Sequence, residues 1–218
     1  MVVGESSARR RALRDPDVRL MLEVRDGSAA AFEELMLRHQ GRLVMILEHL
    51  VGSRDLAEDL TQDVFLRVYR SRQRYQPGAK FSTWLYTIAN NVAANALRSQ
   101  SRRREVNLAA SESGPLGAHP LEMMIQASSG QIPARQLDKA EARDIVRLAL
   151  AALNERQRLA VLLNKFEGMS YADIAETMDL SPQAIKSLLS RARVNLREVL
   201  EPYFQHGACP STSDHVSP

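Results

Sequence analysis

Thr83, Thr87, Asn91 and Asn95 recur every four residues, and Arg98 and Arg102 prolong the same side of the chain. A four-residue step returns close to the same face of an α-helix, so these side chains form one polar row. Asparagine is a mediocre helix former, and helix propensity does not account for Asn90, Asn91 and Asn95 standing so close together. A side-chain amide offers donors and an acceptor and can read the edge of a nucleic-acid base, provided the base has left its stack. Extraction costs a few kcal/mol, which stacking or pocket contacts must offset. Arg98, Arg102, Arg103 and Arg104 follow with no acid among residues 98–104; they suit phosphates and predict a steep salt dependence.

A second set has the opposite charge. Asp59, Gln62 and Asp63 fall within about one helical turn, interspersed with Leu60 and Val64. Residues 48–63 hold Glu48, Asp55, Glu58, Asp59 and Asp63 against Arg54 alone. Such a face repels phosphates, so in a DNA-binding protein it should meet another protein. A third set lies in "MSYADIAETMDLSPQAIKSLLSRARVNL", which has the grammar of a helix-turn-helix. A short helix over 171–178 carries Ile174 and Ala175 inward, a tight connection passes Asp179 and Leu180, and a second helix starts at Pro182. Ile185, Leu188 and Leu189 face the core. Gln183, Lys186, Ser187, Ser190, Arg191 and Arg193 face outward, with the N-terminal half of the helix placed for base edges in the major groove and Arg193 and Arg197 for phosphates.

The elements that carry these sets are helical throughout. Phe32, Leu35, Met36, Leu43, Ile46, Leu47 and Leu50 define one amphipathic helix over roughly 28–51, ending at Gly52. A second runs from Asp55 to about Tyr75 and is broken by "QPG" at 76–78. The third starts near Ser82, with Phe81, Leu85, Ile88, Val92 and Ala96 as its core stripe. Residues 105–136 are rich in Ser, Gly, Pro and Ala without a sustained period and read as a flexible linker. Order returns at 137–204, where Asn154 with Gln157 and Ser170 with Asp173 form capping boxes and Ser181 precedes Pro182. The expected fold is all-α: two small helical domains, 18–104 and 137–204, between disordered tails at 1–17 and 205–218.

Composition narrows the function. Net charge is +3, which permits nucleic-acid binding without demonstrating it. Cys209 is the only cysteine, so neither an intrachain disulfide nor a Cys-x-x-Cys metal site is expected; His206, Cys209 and His215 have poor ligand spacing, and no cofactor is implied. The N-terminus has no apolar run of the signal-peptide kind, and "LVMILEHLV" is too short to span a bilayer. A soluble cytoplasmic protein without membrane insertion is expected. The carboxylates of 55–63 lack an accompanying His constellation or Gly-rich phosphate loop, so an enzyme is not expected.

The run "DLAEDLTQDVFLRVYRSRQRYQPGAKFSTWLYTIANNVAANALRSQSRR" resembles the polymerase-binding and promoter-melting domain of bacterial RNA polymerase sigma factors. "LNERQRLAVLLNKFEGMSYADIAETMDLSPQAIKSLLSRARVNLREVL" resembles their helix-turn-helix domain four, and the short layout is similar to the extracytoplasmic-function (ECF) group. The resemblance implies that Asp59, Gln62 and Asp63 contact the clamp-helix coiled coil of the largest subunit of core RNA polymerase. It implies that a flipped base of the minus-ten element sits between the loop "RYQPGAKFS" and the third helix, with Tyr75 at an aromatic-rich position of the pocket and Asn91 at a polar one. Thr87, Asn95, Arg98, Arg102 and Arg103 complete the minus-ten set, and Trp84 stays open between core and pocket edge. The partners implied are core polymerase, duplex and single-stranded promoter DNA, and an anti-sigma factor. Lys186, Leu188 and Ser190 depart from residues common in the family, so minus-thirty-five specificity is not transferable from relatives. Two rival readings are a helix-turn-helix regulator that never binds polymerase and a sigma mimic that sequesters an anti-sigma protein. The first leaves the acidic helix and the amide row unexplained; the second needs neither a basic recognition helix nor the arginine block.

Overall fold

A computed structural model describes residues 14–110 and 139–205, with side chains described over 14–102, 143–201 and at 203. The expected linker at 111–136 and the tails at 1–13 and 206–218 lie outside the described residues. Among those described there is no strand.

The first domain opens on a helix that begins inside the expected N-terminal tail, 1–17. α1 spans Pro16–Arg25, and its signals are local: Asp15 is the N-cap, accepting from the Asp17 N–H at 3.0 Å, and Pro16 occupies the first turn. Val18, Met21 and Val24 are buried at i, i+3, i+6 spacing. Asp15 does a second job, because its Oδ2 accepts from the Phe81 N–H at 3.1 Å and ties α1 to the start of the long helix. α2 (Ala29–Val51) is capped by Ser28 and stops at Gly52, whose φ of 74° is the left-handed conformation that favours glycine. α3 (Arg54–Ser71) is capped by Ser53 and tightens into a 3₁₀ turn, Arg72–Arg74. After a short loop, α4 runs from Phe81 to Ala110. It therefore continues six residues into the segment expected to be linker.

The second domain holds α5 (Lys139–Ala151), α6 (Glu155–Lys165), α7 (Tyr171–Met178) and α8 (Pro182–Gln205). Both capping boxes form, and the Ala184 N–H donates to Ser181 Oγ at 3.2 Å. Asp179 ends α7 with a φ of 52°. Ile174, Ala175, Ile185 and Leu189 are buried where α7 meets α8. Arg158 organises the α5–α6 corner: its guanidinium donates to the carbonyls of Leu150, Ala151 and Leu153 at 2.8–2.9 Å, taking up acceptors left open at the end of α5.

The two domains pack against each other, an arrangement that a linker-joined pair did not predict. Their buried side chains form one continuous apolar core. α7 lies against α4, and α6 and α5 against α2. Polar contacts close the seam: Arg158 Nη1 donates to the His49 carbonyl at 3.0 Å, Thr177 Oγ1 to the Thr83 carbonyl at 3.4 Å, and Lys80 Nζ to Asp173 Oδ2 at 3.1 Å.

Asp15 combines a cap with a tertiary hydrogen bond. Asp15→Ala should lower stability by about 1–3 kcal/mol, read as an earlier urea midpoint, while Asp15→Asn should retain most of the cap.

Candidate nucleic-acid interface

α4 separates its faces by burial. Phe81, Leu85, Tyr86, Ala89, Val92 and Ala93 are buried, whereas Asn91, Asn95, Arg98 and Arg102 are exposed along the adjacent side. Asn95 Oδ1 accepts from Arg98 Nη2 at 2.6 Å, and Arg98 Nε donates to the Ala94 carbonyl at 3.2 Å, so the amide and the first arginine are positioned together. Asn95, Arg98, Ser101 and Arg102 line a shallow open depression of about 520 Å³. Arg103 lies within α4, but its side chain is outside the described residues. Thr87 is half-buried, and its hydroxyl is committed to the Thr83 carbonyl at 2.8 Å.

The aromatic group before and at the start of α4 differs from expectation. Tyr75 was expected to line the pocket, but it is 4% exposed, so it presents no open ring face to a base. Its ring centroid lies 4.8 Å from that of Trp84, and the Phe81 ring lies 6.1 Å from Trp84. Trp84 is half-buried and packed against the core beside these two rings. Tyr75 can therefore shape the site by fixing Trp84. Burial, with the Asp15 charge beside it, pushes the Tyr75 hydroxyl far above the ordinary phenol range.

On α3, Asp59 and Gln62 are exposed and Asp63 is half-exposed, with its carboxylate bound by Arg67 at 2.9 Å. The same strip continues to Leu66 and Tyr69, which are 53% and 41% exposed. These two were missed in the sequence, although positions 59, 62–63, 66 and 69–70 repeat the helical step that would have found them. Tyr69 is held in place by Phe32, at 5.1 Å between ring centroids, and by the Arg72 guanidinium 4.0 Å above its ring. An acidic strip with an apolar centre suits a protein surface.

On α8, Gln183, Lys186, Ser187, Ser190, Arg191 and Arg193 are all exposed, as a recognition helix requires. Arg193 donates to the Tyr171 hydroxyl at 3.1 Å, a contact that orients it across the α7–α8 corner. Among the described residues no group of His, Cys, Asp and Glu could hold a metal ion, and no helix is long and apolar enough to cross a membrane.

Two carboxylates at the domain seam are perturbed in opposite directions. Burial works against the Asp173 charge, but hydrogen bonds from Ser170 and Lys80 outweigh it and hold its pKa below the usual range. Glu167 has a side chain only 4% exposed, and burial raises its pKa although Tyr86, Arg42 and His39 pull the other way.

Comparison with known proteins matches Sigma-70 region 2 over residues 35–103 and Sigma-70, region 4 over residues 143–196. The RNA polymerase sigma factor CarQ of Myxococcus xanthus is 39% identical over 180 residues, spanning 83% of this chain and 95% of that protein. The ECF RNA polymerase sigma-E factor of Haemophilus influenzae is 31% identical over 189 residues, spanning 85% and 96%. Among solved structures, the sigma factor RpoE in complex with the anti-sigma factor NepR, from Bartonella quintana, is similar with a TM-score of 0.57 and 28% identity, over 78% of this chain and 96% of that one.

The Asp173 contribution has a defined sign. A lowered carboxylate pKa stabilises the fold above the ordinary value of 3.8 and loses that stabilisation as pH falls through the lowered value. The gap in urea midpoint between wild type and Asp173→Asn should be constant above about pH 5 and close on acidification.

Proposed function

The chain belongs to the ECF group of RNA polymerase sigma factors, and from that premise we propose how its exposed faces divide the work. It binds core RNA polymerase and directs it to promoters. The α3 strip of Asp59, Gln62, Asp63, Leu66 and Tyr69 docks on the clamp helices of the largest subunit, with Leu66 and Tyr69 supplying apolar area and the acids setting orientation. The N-terminal half of α8 enters the major groove of the minus-thirty-five element through Gln183, Lys186, Ser187, Ser190 and Arg191, while Arg193 holds a phosphate. Asn91 and Asn95 meet an unpaired base of the minus-ten element, Trp84 closes the edge of that site, and Arg98 and Arg102 hold the strand. The chain is a specificity subunit, not a catalyst; nucleotide addition belongs to the polymerase. It works in the cytoplasm, and an anti-sigma protein holds it in check, as NepR binds the Bartonella quintana RpoE.

The observation that carries this reading is the exposure of Asn91, Asn95, Arg98 and Arg102 in one line beside the buried stripe of α4. A helix-turn-helix regulator acting without polymerase has no use for that line or for the acidic strip on α3. Run-off transcription with purified core polymerase on a genomic promoter library tests it. Promoter-dependent initiation is expected only when the protein is added; a library that yields none would remove the sigma reading.

Two substitutions separate the faces. Asn91→Ala should reduce opening of a duplex minus-ten element by roughly 10- to 100-fold, a loss of about 1–3 kcal/mol, and alter base preference on fork templates. Leu66→Ala and Asp63→Ala should each weaken core binding by about 1 kcal/mol or more while leaving minus-thirty-five duplex binding unchanged. The same defect in both classes would refute the division.

A further inference from the structure

The amide row of α4 has cations at both ends. Arg98 and Arg102 stand at its C-terminal end, and two arginines that no proposed face uses meet the other end, at Phe81 and Trp84. Arg14 directly precedes Asp15, whose Oδ2 accepts from the Phe81 N–H at 3.1 Å. Arg74 directly precedes Tyr75, whose ring centroid lies 4.8 Å from that of Trp84. Asp15 also stands beside the Tyr75 hydroxyl, so Arg14 and Arg74 approach one aromatic group from two segments of the chain. Both segments are fixed, because α1 is tied to α4 through Asp15 and to the 3₁₀ turn through Gln73, whose Nε2 donates to the Arg25 carbonyl at 2.8 Å.

The two arginines are exposed, and among the described residues neither side chain makes a hydrogen bond or an ion pair. Arg38, Arg54 and Arg67, by contrast, each pair with a carboxylate. The acids placed at this end of α4 are engaged. Asp15 accepts from the backbone N–H groups of Asp17 and Phe81, and Asp173 is paired with Lys80. Two unneutralised guanidinium groups thus stand beside a half-buried indole.

Spacing separates these cations from the pair already assigned. From Trp84 to Arg98 the helix rises about 21 Å, at about 1.5 Å per residue. Successive phosphates of one strand at duplex spacing are about 3.4 Å apart, so the two ends of the row face phosphates about six nucleotides apart. The C-terminal end of α4 leads towards the second domain and its minus-thirty-five element. The Trp84 end therefore faces downstream, where the strand stays unpaired.

We propose that Arg14 and Arg74 form a second single-strand subsite, which holds phosphates of the unpaired promoter strand downstream of the base captured at Asn91. This rests on the minus-ten assignment of α4. Guanidinium forks suit phosphate oxygens, and the Trp84 ring beside them offers a surface for an intervening base. Phosphate contacts carry no sequence information, so the subsite lengthens the grip on the open strand without adding base preference.

The test uses the full chain assembled with core polymerase and two fork templates. They differ only in the unpaired strand, which ends at the captured base or continues about six nucleotides downstream. On the long template, the double variant Arg14→Ala with Arg74→Ala should bind about 10-fold more weakly than wild type at about 50 mM salt. That gap should narrow roughly 7-fold by about 200 mM, because each lost phosphate contact removes about 0.7 from the single-strand salt slope. On the short template the double variant should match wild type, which also shows that it is folded. Any gain that core polymerase itself draws from the longer strand is common to both proteins and cancels in their ratio. Arg74→Lys keeps the charge and should retain most of the long-template affinity, whereas Arg143→Ala, at an exposed position of the second domain, should affect neither template. The same wild-type-to-variant ratio on both templates, an unchanged salt slope, or an equal loss with Arg143→Ala would each overturn the subsite. Asn91→Ala on the short template keeps the two readings apart. Binding there that is indifferent to Asn91 defeats the minus-ten assignment itself; Asn91-dependent binding without a role for Arg14 and Arg74 defeats the subsite alone.

Discussion

Burial of one side of α4 is the constraint on which the remaining structure depends. Phe81, Leu85, Ala89 and Val92 fix the helix in the first domain, and each large side chain contributes about 1.5–3 kcal/mol through removal from water. That anchorage leaves the amide and arginine row no direction but outward. It also determines where the second domain can rest, because Thr83, Tyr86 and Asn90 lie on the flank next to the buried stripe.

Polar contacts add little to the seam beside its apolar core. Exposed ion pairs such as Lys80–Asp173 contribute about 0–1 kcal/mol. The Tyr86 hydroxyl favours the Glu167 carboxylate beside it and offsets part of the cost of burying that charge. The apolar contact between the domains is the main attraction across the seam. Arg158 is a different kind of contact: three of its bonds stay within its own domain, so opening the seam costs it only the bond to the His49 carbonyl.

Local chemistry was legible where side chain and backbone act within a few residues. The boxes at Asn154–Gln157 and Ser170–Asp173, the cap at Ser181 and the stop at Gly52 could all be read from residue type and spacing. The same logic applied to Asp15–Pro16 would have found α1, which was lost because its three apolar contacts, Val18, Met21 and Val24, make a short pattern beside a charged tail. Leu66 and Tyr69 are apolar residues on the exposed side of α3, and their position on the acidic strip marks them as surface. The burial of Tyr75 and the packing of the two domains were not readable. The first depends on a contact across the loop before α4, Tyr75 with Trp84, and the second on residues far apart in sequence, Glu167 with Tyr86; helical spacing encodes neither.

Permanganate reactivity of thymines at the minus-ten element of a duplex promoter reports most directly on the central claim, that this chain delivers polymerase to a promoter and holds an unpaired strand there. Reactive thymines should appear only when core polymerase and the protein are both present, and should be lost with Asn91→Ala although the complex still forms on the minus-thirty-five element. Reactivity with core alone, or strand opening that is indifferent to Asn91, would contradict the account.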